Sequence, residues 1–346
     1  MASDEPERPP DVAHDAILRV IRVPPESHGM RLDRFLSTQL RATSRTRAAL
    51  IIENSAFSWQ GRRLKPSDRV KGEDRIALWR PALDEAPPPT EITTIYEDDH
   101  LLVVNKPALM TVHPTARHHR HTVIRSLQLA RPDQHLSLIH RLDRETSGIL
   151  MLAKTPEADR LFKGQLEQRA KTEARAARRG DPVPERCDKV YLAITWGTPL
   201  GGLVNEPLCA DPSPLRVKMR TAPTGEGLAA RTGVKVLSSV HNYALVRCEL
   251  YTGRQHQIRV HLAHLGTPIV GDKLYGPDEI YLARGADNEL TEQDLAILEL
   301  PRHALHSTFY RMNHPYTQRE IEFEAPLPCD LSDFWNQVSS ESAHKP

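Results

Sequence analysis

"HRLDRETSGILMLAKT", residues 140–155, sets Asp143 between Arg141 and Arg144 and follows it with the turn-forming Thr146-Ser147-Gly148 and an unbroken apolar run. Such a run, bounded by a turn and a charged stop, has the pattern of a buried strand. A carboxylate at the mouth of that strand has two readings. It closes the loop through an Arg–Asp pair, worth about 0–1 kcal/mol if exposed, or it is an ionised group held ready to attack a substrate.

The neighbouring segments define the fold class. "TPEADRLFKGQLEQ" reads as a helix, with Thr155 as N-cap, Pro156 at the first position and Ala158, Leu161, Phe162 and Leu166 on one face. Upstream, "TTIYEDDHLLVVNKP" has strand-like runs around an acidic turn. Downstream, "KVYLAITWG" and "YALVRCELYTG" read as strands ending at glycine. "QIRVHLAHLG" is a helix with Ile258, Leu262 and Leu265 inward and Gly266 as its stop. The expected fold is α+β, a mixed, mainly antiparallel sheet with helices.

The first ninety residues differ in character. Residues 1–18 read as a disordered proline-rich tail. Residues 19–80 form a small unit of two helices and short strands. "RLDRFLSTQL" is the first helix; "SRTRAALIIENSAF" is the second, with Ser44 as N-cap and Ala48, Leu50, Ile51 and Ile52 inward. "AFSWQ" and "RIALW" are the strands, joined through the turn "QGRR". Residues 81–90, with three consecutive prolines, read as a linker. Residues 91–330 carry the main domain and 331–346 a C-terminal tail. The charged stretch 169–188 reads as an extended helix end followed by a mobile excursion.

With 346 residues, 39% hydrophobic, 26% charged and 5% aromatic, the chain is expected to be a soluble cytoplasmic protein with no membrane association. Its four cysteines, Cys187, Cys209, Cys248 and Cys329, lack CxxC spacing and argue against a disulfide framework and a zinc site. A net charge of +1 hides an uneven distribution: residues 29–76 hold eleven Lys and Arg against five Asp and Glu. Arg31, Arg34, Arg45, Arg47, Arg62, Arg63 and Lys65 make this unit a candidate polyanion-binding module. A merely solvated face is the alternative.

The motifs exclude several chemistries. "HPTARHHRH" gathers His113, His118, His119 and His121, but arginines interleave them and no carboxylate or cysteine completes a metal set. His261 and His264 lack the HExxH pattern and read as structural. Ser147 sits outside any G-x-S-x-G elbow, and no phosphate-binding glycine loop is present, so neither a serine hydrolase nor a nucleotide cofactor is supported. There remain Asp143, Tyr191 and the basic cluster "TGRQHQIRVH", from which Arg254 or Arg259 is available to pair with Asp143.

These segments resemble the RluA-type RNA pseudouridine synthases. "HRLDRETSGILMLAK" is similar to the family signature and "TGRQHQIRVHLAHLGTPIVGDKLYG" to its third motif. "LLVVNKPALMTVHP", "KVYLAITWG", "LRVKM", "RHALHS" and "HPYTQREIEFEAPLP" follow in the expected order. The N-terminal unit is similar to the ribosomal protein S-four-type RNA-binding module, departing from it at "NSAFSWQG".

The resemblance implies a monomeric, cofactor-free isomerase that converts uridine to pseudouridine in RNA, with ribosomal RNA of the large subunit favoured over tRNA. Asp143 would be the nucleophile, Tyr191 would pack against the uracil and help remove the C5 proton, and Arg259 would pair with Asp143. Arg254 keeps a claim to that last role. Arg141, Arg144, Arg254, His256, Gln257 and Leu305 would contact substrate, with Arg144 filling the space left by a flipped uridine. The competing reading is a non-catalytic RNA-binding or ribosome-assembly protein on the same fold; a hydrolytic RNA glycosidase is more remote.

Overall fold

The computed structural model describes residues 6–14, 16–40, 43–80, 91–115, 120–212, 217–223, 225–287 and 289–342. They form two compact units, one N-terminal and one from residue 91 onward. The linker expected over 81–90 lies outside the described residues, as do His118 and His119.

In the N-terminal unit, β1 (Ile17–Arg22), α1 (Leu32–Gln39), α2 (Arg45–Ser55), β2 (Ala56–Ser58) and β3 (Arg75–Arg80) follow in order. The three strands form an antiparallel sheet ordered β1-β3-β2. Ser44 caps α2 by accepting from the Arg47 N–H at 3.2 Å. Leu32, Phe35 and Leu36 of α1 meet Ala48 and Ile52 of α2 over Ile76 and Leu78 of β3.

Two expectations fail here. Leu50 is 55% exposed, because the face of α2 that meets the core runs through Ala48, Ile51, Ile52 and Ser55 and leaves position 50 outside it. The N-terminal tail is not free over its described part: the Glu7 N–H bonds Trp59 O at 3.1 Å, Arg8 lies over the Trp79 ring, and Ile17 and Leu18 already pair with Arg80 and Trp79.

The larger unit begins with β4 (Thr93–Glu97), β5 (Leu101–Lys106), α3 (Val123–Ala130), β6 (Ser137–Leu138), β7 (Ser147–Ala153) and α4 (Pro156–Arg179). There follow β8 (Lys189–Trp196), β9 (Gly202–Val204), β10 (Leu208–Ala210), β11 (Met219–Thr221), β12 (Thr232–Val240), β13 (Tyr243–Leu250) and α5 (Gln257–His264). The chain closes with α6 (Ile280–Asp287), α7 (Glu292–Leu298), β14 (Leu305–Asn313), β15 (Glu320–Glu324) and α8 (Cys329–Ser342). The main sheet is ordered β4-β5-β7-β14-β8-β13-β12-β9, with β6 added to β7 and β15 to β14. Every pairing is antiparallel except β7 with β14. This is the mixed, mainly antiparallel α+β sheet expected.

Every residue of β7 is buried. Leu150 and Leu152 enter one apolar cluster and Ile149 and Met151 another, so the strand is covered on both faces and reads as a continuous apolar run. Gly148, at φ 109°, is the residue that lets β14 close on this strand: a Cβ there would stand 2.2 Å from Ser307 O.

Two boundaries are corrected. Residues 331–342 are helix rather than tail, because Leu331 and Val338 are buried and Phe334 and Trp335 pack on the larger cluster. The excursion is helical through Arg179, where Gly180 at φ 74° ends α4. The loop that follows is anchored rather than mobile: Cys187 is buried, and Asp188 pairs with Arg169 and, at 3.0 Å, with Arg311.

Candidate active site

Asp143 lies in the loop between β6 and β7, and that loop is fixed through its backbone. The Thr146 N–H bonds Asp143 O at 3.2 Å, closing a turn. Two buried side chains satisfy the next carbonyls: Lys106 Nζ donates to Arg144 O at 3.1 Å and Arg302 Nη1 to Glu145 O at 3.3 Å. The Glu145 carboxylate accepts from Lys273 Nζ at 2.8 Å and from the His303 N–H at 3.0 Å, while Thr146 Oγ1 meets His303 Nε2 at 2.8 Å. Held at both flanks, Asp143 keeps 34% of its side chain exposed.

Arg259, on the first turn of α5, reaches this carboxylate: its Nη1 donates to Asp143 Oδ2 at 3.1 Å. The rest of its fork is taken by Asp272, through Nε at 2.7 Å and Nη2 at 2.8 Å. Asp272 is fully buried, and its Oδ1 also accepts from the backbone N–H groups of Leu274 and Tyr275. One planar guanidinium therefore joins two carboxylates, a geometry that lysine cannot reproduce. The Tyr275 ring lies 5.0 Å from the guanidinium carbon, and its hydroxyl meets His256 Nδ1 at 2.9 Å. His256 Nε2 stands 3.9 Å from Asp143 Oδ2.

The electrostatics favour an ionised Asp143. Burial alone would raise its pKa, but Arg259 leads the neighbours that carry it below the usual carboxylate value. His256 is pushed down to about 4 by burial and by Arg259, so at neutral pH it is uncharged. His303 is also lowered by burial and Arg259, which leaves the guanidinium as the cation facing Asp143. Tyr191, on β8 opposite Ser307 of β14, is driven up to about 12 mainly by burial, the Asp143 charge adding to the rise.

The family model for RNA pseudouridylate synthases matches residues 100–264, and that for the S4 domain matches residues 30–76. An uncharacterised RNA pseudouridine synthase of Chloroflexus aurantiacus is 34% identical over 340 residues, covering 94% of this chain and 95% of its own. The chain belongs to the RNA pseudouridine synthases. The ribosomal large subunit pseudouridine synthase D of Pseudomonas aeruginosa is 33% identical, with 92% of this chain and 94% of its own covered. Among solved structures, human RNA pseudouridylate synthase domain containing 4 superposes with a TM-score of 0.53 at 25% identity, covering 71% of this chain and 92% of that one.

Within this pseudouridine synthase, the geometry sorts the expected site residues. Asp143, Arg259 and His256 meet, and Leu305 lies in the same apolar cluster as Tyr191. Arg254 does not reach Asp143; its Nε donates to Ala229 O at 3.1 Å. Gln257 is 2% exposed, with its amide spent on Arg231 O, the Thr232 and Thr252 hydroxyls and the Arg254 N–H, so it fastens α5 to β12 instead of facing substrate. Arg141 is exposed, whereas Arg144 is half-buried with its Nε enclosed.

Asp272, Glu145, Lys106 and Tyr275 escaped the sequence reading. Asp272 and Tyr275 lie in the quoted "PIVGDKLYG", but nothing local shows that an aspartate thirteen residues beyond Arg259 folds back onto it. His261 is structural as expected, buried between Thr232 Oγ1 and Glu206 O.

The basic residues of the S4 module divide as well. Arg31 and Arg45 pair with the buried Asp33, Arg62 pairs with Asp68, and Arg63 pairs with Asp11 and donates to Glu53 O. Arg34, Arg47 and Lys65 are exposed, with no ion-pair partner among the described residues.

Among the described residues there is no group of three or more His, Cys, Asp or Glu placed to hold a metal. No helix among them is long and apolar enough to cross a membrane.

Proposed function

We propose that this synthase isomerises uridines of large-subunit ribosomal RNA with Asp143 as its nucleophile. The observation carrying this reading is the Asp143 carboxylate, part-exposed and held 3.1 Å from a guanidinium that a second, buried carboxylate fixes in place. A carboxylate so held is ionised at neutral pH and pre-oriented, as covalent catalysis requires. The reaction breaks the N1–C1′ bond and forms C5–C1′; the C5 proton leaves and N1 takes one up, so no atoms are gained or lost.

Tyr191, a phenol at neutral pH, supplies a flat apolar wall for the uracil together with Leu305. The uridine must leave its helix to reach Asp143. In this reading the exposed Arg141, and not the half-buried Arg144, enters the vacated space. The ribosomal substrate is supported by relatives named for the large subunit that match along nearly their whole length. Pseudouridine mapping in cells with and without the gene tests the proposal. Loss of specific sites in large-subunit RNA is expected; loss confined to tRNA would overturn the substrate.

In this reading residues 19–80 act as a second grip on RNA and 91–330 as the catalytic domain. A chain beginning at Thr90 keeps the apolar clusters of the larger unit and is expected to fold. It should bind RNA more weakly, with a shallower salt dependence, because phosphate contacts are lost. The single-turnover rate at saturating RNA should stay within a few-fold, since tethering raises effective concentration without touching the chemistry. A salt titration of binding and single-turnover kinetics on both chains checks this.

A further inference from the structure

The C-terminal half of α4 was singled out in the sequence only as charged, and the reaction at Asp143 makes no use of it. The helix runs 24 residues, roughly 36 Å at 1.5 Å per residue. Its buried residues Ala158, Phe162 and Ala177 share one side. Lys171, Arg175 and Arg178, spaced by four and three, share the opposite side and are all exposed. Lys171 stands 3.8 Å from Glu167 with both side chains largely in solvent, and Arg179 is taken by Asp181 at 2.6 Å. Arg175 and Arg178 have no ion-pair partner among the described residues.

The tertiary structure brings the end of this helix to the turn that precedes α5. Arg231 Nη2 donates to Ala176 O at 3.1 Å and Asn205 Nδ2 to Ala177 O at 3.4 Å, docking the helix end. The Arg231 N–H bonds Thr252 Oγ1, and Arg231 O accepts from Gln257 Nε2, both at 2.8 Å. The end of α4 thus abuts the 252–257 turn that carries Arg254 and His256. Arg254 is depressed by burial and then by Arg178, a like charge brought near it. Cations clustered this way repel one another, a cost that a bound polyanion reverses.

We infer that Lys171, Arg175 and Arg178, continued by Arg254, form a phosphate-binding track that holds the RNA backbone beside the target uridine. The inference rests on the proposed function for the identity of the polyanion. Complementing the helix dipole explains Arg178 in the last turn, but not Arg175 and Lys171 one and two turns earlier.

The test is the full chain carrying K171Q, R175Q and R178Q together; glutamine is a good helix former, so α4 is preserved. The probe is large-subunit ribosomal RNA transcribed in vitro. Each phosphate contact contributes about 0.7–0.9 to the slope of log affinity against log salt, so the slope should fall by about 2. The apparent KM should rise about tenfold, while the single-turnover rate at saturating RNA changes less than twofold. Exposed Arg160, at the other end of α4, serves as control: R160Q should move neither. Should the triple variant fail to fold, R175Q alone should lower the slope by close to one.

An unchanged slope and KM would overturn the track, as would a fallen saturating rate with the slope intact. Lowered thermal stability with an unchanged slope would leave only a helix-capping role and overturn it too. Absence of pseudouridine formation by the unaltered chain would instead defeat the proposed function, and the binding slopes on the same RNA would still decide for or against the track.

Discussion

Asp143→Asn abolishes isomerisation, lowering the single-turnover rate by about 10⁴-fold or more, while folding and RNA affinity survive. Removing a nucleophile removes the pathway, and single knockouts in covalent enzymes reach this size. The variant keeps the shape of the side chain and an oxygen for the Arg259 Nη1 bond. It does not strand a buried cation, because Arg259 retains two bonds to Asp272. Melting temperature should therefore move by no more than a few degrees. Since the C5 proton leaves during the reaction, tritium release from C5-labelled uridine in RNA measures the rate directly. Turnover of the variant within a hundredfold of the parent would remove Asp143 from the role.

Arg259→Lys should be nearly as damaging. The guanidinium makes three bonds to two carboxylates in one plane; an ammonium has no such fork and a shorter reach. A nucleophile left free to drift costs about 10²-fold in rate or more. Arg254→Lys should show no comparable loss at saturating RNA, because Arg254 is tied to Ala229 and not to Asp143. The reverse pattern would show that Arg254 engages Asp143 in the working complex.

Asp272→Asn attacks the same triad from behind. Breaking a buried ion pair costs about 3–5 kcal/mol, so this variant should lose stability as well as rate. Arg259 opposes burial to hold the Asp272 carboxyl down at about 2, against an ordinary 3.8. A carboxyl lowered by folding contributes its stability in full above the ordinary value and loses it as pH falls toward the folded one. Melting temperature should therefore fall on acidification from about pH 4 toward 2, and Asp272→Asn should flatten that fall. An acid limb of equal steepness in both proteins would assign it to other carboxylates, Glu145 first among them.

Local pattern alone specified much of this molecule. The apolar run of β7, the Thr155 and Ser44 caps, the helix ending before Gly266 and the basic N-terminal unit follow from periodicity, capping chemistry and charge counting. The motif around Asp143 singled out the carboxylate proposed as nucleophile. Each of these is written in residues close together in the chain, where side-chain period and hydrogen-bond reach act directly.

What lay beyond the sequence is long-range. Arg259 and not Arg254 meets Asp143 across 116 residues, because α5 buries one arginine against Asp272 and leaves the other at the edge of β12. Gln257, read as a substrate contact, is consumed in holding that helix. The C-terminal tail became a helix because Leu331 and Val338 find an apolar cluster contributed by distant strands. Which of several arginines pairs with a carboxylate depends on differences of a few ångströms set by the packing of a whole sheet, and no local pattern encodes them. The sequence supplied the charges and the strands; only the closed fold, with β14 inserted between β7 and β8 across Gly148, decided which charges would meet.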